Sequence, residues 1–123
     1  MEKNISIEEK LNKRMEWTFL YDFYGELLKD NQKTVFEDYI LNDLSLGEIA
    51  QEQGISRQGV HDLVKRCDKI LSGYEEKLKL VEKFNQTKKM VEEIKELAGQ
   101  YKKDGDRSLI DRIEAISEEI GKL

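Results

Sequence analysis

The sequence predicts an all-α protein, in which a helix-turn-helix domain over residues 1–72 precedes a helical extension over residues 73–123 that ends in a hairpin. Three observations predict this fold. None of the 123 residues is proline and 38% are charged, so nothing in the composition interrupts a helical hydrogen-bond ladder. Apolar residues recur at helical spacing along most of the chain. In the segment AQEQGISRQGV, residues 50–60, one helical run ends at a glycine and another begins after a serine.

The composition favours a cytoplasmic protein without membrane insertion. Cys67 is the single cysteine and has no internal disulfide partner, which fits a reducing compartment. The first 17 residues are charged throughout and contain no signal-peptide core, and no window approaches the roughly 18 consecutive apolar residues of a membrane span. The net charge of −5 counts against tight binding of DNA by a single subunit.

The first predicted helix, residues 8–29, is apolar on two sides. One side carries Trp17, Leu20, Tyr21, Tyr24, Leu27 and Leu28, and the other carries Met15, Phe19 and Phe23. Such a helix requires two packing partners. The second partner is either a later helix of the same chain or, through Phe19 and Phe23, a second subunit. A second helix is expected over residues 32–42, capped by Asp30 or Asn31.

Local signals define the first helix of the helix-turn-helix. Ser45 and Glu48 have the spacing of a capping box, in which the serine hydroxyl accepts from a free backbone N–H and the glutamate reaches back to the serine amide. Ile49 and Ala50 then face the core. The small side chain of Ala50 allows the next helix to cross closely.

The turn and the second helix follow at once. Gly54 supplies a positive φ without strain, Ile55 is expected to pack the turn into the core, and Ser56 is a natural N-cap. The predicted buried face of the second helix consists of Val60, Leu63, Val64, Cys67, Ile70 and Leu71. This joint placement is more demanding than a glycine turn alone, and it predicts a true helix-turn-helix.

The second half of the chain has heptad-like spacing. A long helix is expected to run on from residue 67, bent but not ended at Gly73, with a stripe of Leu80, Phe84, Thr87, Val91, Ile94, Ala98 and Tyr101. KKDGDR, residues 102–107, predicts a turn, and Ser108 is expected to cap a last helix. The last helix repeats apolar residues at Leu109, Ile113, Ile116, Ile120 and Leu123. Two helices with this spacing, joined by a tight turn, predict an antiparallel helical hairpin or a coiled-coil arm.

Residues 44–66, LSLGEIAQEQGISRQGVHDLVKR, resemble the DNA-reading fourth region of sigma-70-type bacterial sigma factors. More closely, the chain resembles the YlxM family of small bacterial proteins. The likeness covers about residues 11–96 and rests on FLYDFYGELL (19–28), the acidic helix at 36–43, SLGEIA (45–50), SRQGV (56–60), VKR (64–66) and YEEKLKLVEKF (74–84). It implies a cytosolic DNA-binding regulator. A role in the signal recognition particle pathway is also implied, because genes of this family commonly neighbour that of the particle's GTPase.

The candidate nucleic-acid-binding residues are those of the second helix that point away from its buried face: Ser56, Arg57, Gln58, His61, Lys65, Arg66 and Lys69. Arg57 suits guanine and Gln58 suits adenine, each through a bidentate contact. The hydroxyl and the remaining basic side chains suit phosphates. Asp62, in the same row, is unfavourable near phosphates. Gly59 lowers helix stability. It fits a position where another backbone approaches closely, and it fits equally well a neutral substitution.

The alternative to a DNA regulator is a protein-interaction adaptor of the signal recognition particle pathway that keeps the helix-turn-helix as a scaffold. A weaker alternative is binding of that particle's RNA through the lysines of residues 77–103. No catalytic motif is present, so no enzyme activity and no cofactor are expected. His61 with Cys67 makes a poor metal site. A homodimer is expected, because Phe19, Phe23 and the stripe over 80–101 exceed the apolar surface that one small core requires.

Overall fold

A computed structural model describes residues 6–123, which form helices and no strand. The α-helices are α1 (Ile7–Tyr24), α2 (Asp30–Ile40), α3 (Leu46–Gln53), α4 (Arg57–Leu78), α5 (Leu80–Asp104) and α6 (Ser108–Gly121), and a 3-10 turn, Gly25–Leu27, follows α1. The all-α prediction is confirmed. The chain forms two compact units, divided between Lys79 and Leu80, whereas the sequence-based division at residue 72 lies inside α4.

The core of the first unit lies where α1, α2 and α3 pack against α4. Its fully buried side chains come from the end of α1 and from α2, α3 and α4: Tyr24, Val35, Phe36, Ile49, Val60, Cys67 and Leu71. The ring of Trp17 meets that of Phe36 edge-on, with centroids 6.0 Å apart. The predicted buried face of α4 is therefore confirmed at its centre, while Leu63 and Ile70 lie half-buried at its margins.

Polar contacts tie α1 to the other helices of this unit. Tyr24 Oη donates to Glu75 Oε1 at 2.6 Å, and Tyr21 Oη donates to Glu37 Oε2 at 2.8 Å. Burial, together with the hydrogen bond to Glu37, raises the pKa of Tyr21 above its ordinary value. Arg14 donates to the Tyr39 carbonyl at 2.8 Å. These contacts hold α1 in one register against α2 and α4.

The ends of the first two helices differ from the predictions. The first helix ends at Tyr24 rather than at residue 29. The next residue, Gly25, lies against the Tyr21 ring, where a Cβ would be 2.8 Å from Tyr21 Cδ1. The predicted caps of α2, Asp30 and Asn31, are wrong. Lys29 is the N-cap, and its backbone N–H donates to Gln32 Oε1 at 3.1 Å. The side chain inside the first turn thus replaces the expected capping residue.

The long helix expected from residue 67 onward is interrupted between α4 and α5. Gly73 lies within α4 and, as predicted, does not end it. The helix ends at Leu78, and Lys79 has a left-handed backbone with φ 56°. The Lys79 N–H still donates to the Glu75 carbonyl at 2.8 Å, which closes the last turn of α4. A single non-glycine residue in the left-handed region is enough to end one helix before the next begins.

The second unit is a hairpin of α5 and α6, as predicted. Gly105 has φ +66° at the turn. The N-cap of α6 is Arg107, whose side chain makes no capping hydrogen bond. Just before it, Asp106 Oδ1 accepts from the Ser108 N–H at 2.9 Å and from the Ser108 hydroxyl at 2.8 Å. These hydrogen bonds hold the pKa of Asp106 below its ordinary value. The predicted cap at Ser108 is therefore wrong, because Ser108 is the first residue of the helix.

The apolar stripe of α5 is displaced from the predicted one. Leu97 and Ile116 are the buried side chains of the hairpin, each 8% exposed, whereas the predicted stripe member Val91 is 51% exposed. Tyr101, also expected in the stripe, is exposed. Helical spacing leaves both registers open on a helix with apolar residues on two sides, and contact with α6 selects the one that contains Leu97.

Over the part of the chain that the structure describes, each helix is too short or too polar to cross a membrane.

Candidate nucleic-acid interface

The helix-turn-helix is formed by α3, the turn at Gly54 and α4. Glu48 N–H donates to Ser45 Oγ, and Ser45 N–H donates to Glu48 Oε1, each at 3.1 Å, so the predicted capping box is confirmed. Hydrogen bonds from the Ser45 backbone N–H and from its side chain hold the pKa of the Glu48 carboxyl below its ordinary value. Gly54 has φ 68° and ψ 31°, the left-handed geometry predicted for the turn. These local interactions determine where α4 begins.

The first turn of α4 is closed by Ser56, whose Oγ accepts from the Gly59 N–H at 2.9 Å. This confirms Ser56 as the N-cap. It also supplies a local reason for Gly59, because a Cβ there would lie 3.2 Å from that same Oγ. A larger residue at position 59 would press on the cap.

Ile55 does not pack into the core, contrary to the prediction. Its side chain is 42% exposed, and its Cδ1 would lie 3.7 Å from a Cβ at Gly59. The left-handed Gly54 turns the chain so that Ile55 covers the outside of the first turn of α4. Ile55 is therefore part of the surface beside the candidate reading residues.

Three of the candidate residues come together at the N-terminal end of α4. Arg57, Gln58 and His61 line a shallow depression with Leu46 of α3. The Arg57 side chain lies against Gly47, where a Cβ would be 3.8 Å from the guanidinium Nε. A small residue at position 47 therefore leaves room for the arginine. Leu46 and Gly47 are not predicted as part of this site, because no local signal distinguishes them from ordinary helix residues.

Asp62 contacts two of these side chains. Gln58 Nε2 donates to Asp62 Oδ1 at 2.9 Å, and His61 Nδ1 lies 3.7 Å from the same oxygen. The spacing of four residues between Gln58 and Asp62 is the sequence signal for such a pair on a helix. The carboxylate is 64% exposed, so it remains accessible to solvent and to any ligand of this surface.

The remaining candidates lie farther along α4. Lys65, Arg66 and Lys69 are exposed, and among the described residues no ion pair engages them. At 100° per residue, Lys69 lies in the same row as Gln58, about 16 Å farther along the axis. Arg66 lies about 180° around the helix from Arg57, so the two face different directions. Lys65 and Lys69 therefore lie in one row with Gln58, whereas Arg66 and Arg57 lie on opposite sides of α4.

The charge of this surface is mixed. Over α4 to Lys69, the basic residues are Arg57, Lys65, Arg66 and Lys69, and the acidic residues are Asp62 and Asp68. Asp68 is engaged by Lys13 of α1, with 3.7 Å between Oδ2 and Nζ. Asp62 is therefore the acidic side chain that lies near the exposed basic side chains of α4.

The cysteine and the histidine of α4 lie apart. Cys67 is buried, and its Sγ lies 3.8 Å from the Gln32 carbonyl, while His61 is exposed. Burial raises the pKa of the Cys67 thiol to about 11. Over residues 6–123, no cluster of three or more His, Cys, Asp or Glu side chains has the arrangement of a metal site.

The fold and the exposed N-terminal end of α4 define an all-α protein of the helix-turn-helix class. The chain belongs to the family described as "Putative helix-turn-helix protein, YlxM / p13 like", which matches residues 11–113. The match therefore extends beyond the likeness over residues 11–96 and includes the turn between α5 and α6.

Several proteins of this family are similar to the chain. It is 43% identical over 107 residues to UPF0122 protein YlxM of Bacillus subtilis (strain 168), covering 86% of this chain and 97% of that protein. It is 42% identical over 107 residues to a UPF0122 protein of Shouchella clausii, covering 86% and 98%. It is 57% identical over 79 residues to a UPF0122 protein of Caldanaerobacter subterraneus, covering 64% and 68%.

Proposed function

We propose that this protein is a cytoplasmic DNA-binding regulator that reads the major groove with the N-terminal end of α4. The observation that carries the proposal is the convergence of Arg57, Gln58 and His61 around Leu46 at the exposed start of a helix whose caps are intact. In helix-turn-helix proteins, this end of the second helix meets the base edges. The position of these donors and acceptors at that end of α4 supports the proposal.

The candidate residues divide into two roles. Arg57 and Gln58 present the donor fork and the amide that suit guanine and adenine. Lys65 and Lys69 continue the same face along α4 and suit phosphates, as does the hydroxyl of Ser56. Arg66, about 180° around α4 from Arg57, suits a phosphate at the edge of the contact.

The proposal includes a homodimer, because the basic surface of one subunit is small. Up to Lys69, α4 carries four basic side chains, and the net charge of the chain is −5. Since phosphate contacts supply most of the affinity for nonspecific DNA, two such surfaces bind far better than one. A two-fold dimer would also double the base contacts over two half-sites.

Selection from a random DNA library with the purified full chain tests the proposal. Arg57→Ala and Gln58→Ala should weaken binding to the selected sequence by about 1–3 kcal/mol each, because each removes a bidentate base contact. Lys65→Ala and Lys69→Ala should weaken binding to all sequences alike and reduce its salt dependence. Lys122→Ala, which removes the same charge from the second unit, is the matched control and should leave binding unchanged.

A protein-interaction adaptor, for which the signal recognition particle pathway is the candidate setting, is the second proposed function. It is favoured by the acidic net charge and by Asp62 within the reading surface. On this hypothesis the selection enriches no sequence even at low salt. Arg57→Ala then weakens a protein complex or has no effect. Enrichment of one DNA sequence that depends on Arg57 and Gln58 excludes the adaptor as the sole function.

A further inference from the structure

The exposed row of α4 begins with a hydrogen-bonded pair, Gln58 and Asp62. Gln58 Nε2 donates to Asp62 Oδ1 at 2.9 Å. An ionised carboxylate only accepts hydrogen bonds, so it meets the nitrogen end of the amide and not the oxygen end. A reversed amide would place Oε1 against the carboxylate, acceptor against acceptor. The pair therefore fixes the direction in which the Gln58 amide points.

The fixed amide has a defined set of free groups. One N–H of Gln58 is engaged by Asp62, which leaves one N–H and the acceptor Oε1. Adenine presents an acceptor, N7, beside a donor, the N6 amino group, in the major groove. One donor beside one acceptor is the complement of that edge. A glutamine held by Asp62 is thus prepared to pair with adenine before DNA arrives.

Asp62 also acts through its charge. It lies one turn after Gln58 on a face that continues to Lys65 and Lys69, and it is 64% exposed. A negative charge among phosphate-binding lysines repels the DNA backbone whatever the sequence. The repulsion lowers the affinity for every DNA sequence alike. The orientation of Gln58, in contrast, raises the affinity only for sequences that present an adenine at the contacted position.

We propose that Asp62 is a positioning residue of the reading surface: it orients Gln58 toward adenine and lowers affinity for DNA of other sequences. The inference rests on the proposed DNA-reading function. A merely structural role, in which the pair stabilises α4, would alter stability and leave base preference unchanged.

Asp62→Asn tests the proposal, because it keeps the shape of the side chain while removing the charge and adding a donor. The Gln58 amide can then pair with residue 62 in either direction, so it is no longer held in one orientation. In about 0.1 M salt the variant should bind unrelated DNA about fivefold more tightly, with a salt dependence steeper by about one counterion. Its preference for adenine at the base that Gln58 contacts should fall severalfold. In a Gln58→Ala background, Asp62→Asn should still tighten binding, but it should leave the base preference unchanged.

Asp68→Asn is the matched control, since Asp68 lies on the same helix and pairs with Lys13 and Ser72 rather than with a base-reading residue. It should leave base preference unchanged. Thermal melting confirms that each variant is folded. The ¹H–¹⁵N signal of the Gln58 side-chain amide should shift in Asp62→Asn and remain in place in Asp68→Asn.

The outcomes separate the inference from the function on which it rests. If the wild-type protein selects a sequence and Asp62→Asn selects it with the same adenine preference, the positioning role is overturned and the DNA-reading function stands. If the wild-type protein selects no sequence at low salt, both are overturned. Loss of adenine preference in Asp62→Asn, together with tighter binding to unrelated DNA, supports the proposal.

Discussion

The turn at Gly54 permits a prediction whose magnitude follows from the structure. Its backbone is left-handed, with φ 68° and ψ 31°, and no atom lies within 4 Å of where a Cβ would stand. A Cβ at this position therefore meets no steric obstacle, and the main expected cost of a substitution is backbone strain. A left-handed L-residue costs roughly 1–2 kcal/mol, and a β-branched residue costs more. Gly54→Val should destabilise the protein by about 1–3 kcal/mol.

Two further variants isolate the cause. Gly54→Asn should cost clearly less than Gly54→Val, because asparagine tolerates the left-handed region. Gly73→Ala is the matched control: Gly73 lies within α4, its φ is not positive and no atom lies within 4 Å of its Cβ position. Alanine there should stabilise the helix by about 0.5–1 kcal/mol. Replacing a glycine should therefore lower the free energy of unfolding at position 54 and raise it at position 73.

Fluorescence of Trp17, the single tryptophan, measures the effect in the unit that contains the turn. Its ring contacts Phe36 in the core, so its emission should change when that core unfolds. For a domain of this size, 1 kcal/mol shifts Tm by about 4–8 °C. A Gly54→Val variant that melts with the wild type, while Gly73→Ala shifts upward, would refute the assignment of strain at the turn.

Other predictions concern packing, reactivity and assembly. Ala50→Leu should destabilise the fold by about 1–3 kcal/mol, because Ala50 is only 6% exposed where α3 meets α4, whereas Gln51→Leu on the exposed face should melt close to the wild type. Cys67, with its pKa raised to about 11, should not react with a thiol reagent at pH 8 until urea unfolds the chain; labelling of the native protein would contradict its burial. Because its folded pKa lies above the ordinary value of 9.0, stability should fall as pH rises from about 9 to about 11, which urea titrations across that range measure. Sedimentation equilibrium at high micromolar concentration should show twice the chain mass of 14.5 kDa, with Leu11 and Met15, each more than half exposed, available to the contact; a monomer would rule the dimer out.

The sequence by itself determined the helix-turn-helix, because its signals are local. A capping box, a left-handed glycine and an N-cap serine each act within four residues, and all three have the predicted geometry at Ser45, Gly54 and Ser56. The buried face of α4 is equally predictable at its centre, since one apolar stripe dominates that helix. The candidate reading residues Arg57, Gln58 and His61 follow from the same periodicity, because they lie opposite or beside that stripe.

Only the tertiary structure decided which of several apolar faces is buried and where the long helix ends. In α5, periodicity allowed a stripe through Val91, and packing against α6 instead buried Leu97. The end of α4 at Leu78 is set by Lys79, which has a left-handed backbone although lysine has no preference for that conformation. Ile55 is exposed because Gly54 directs the chain away from the core. Helical spacing defines which residues share a face, but the burial of that face depends on partners distant in sequence, and so local signals predict the helices better than they predict their packing.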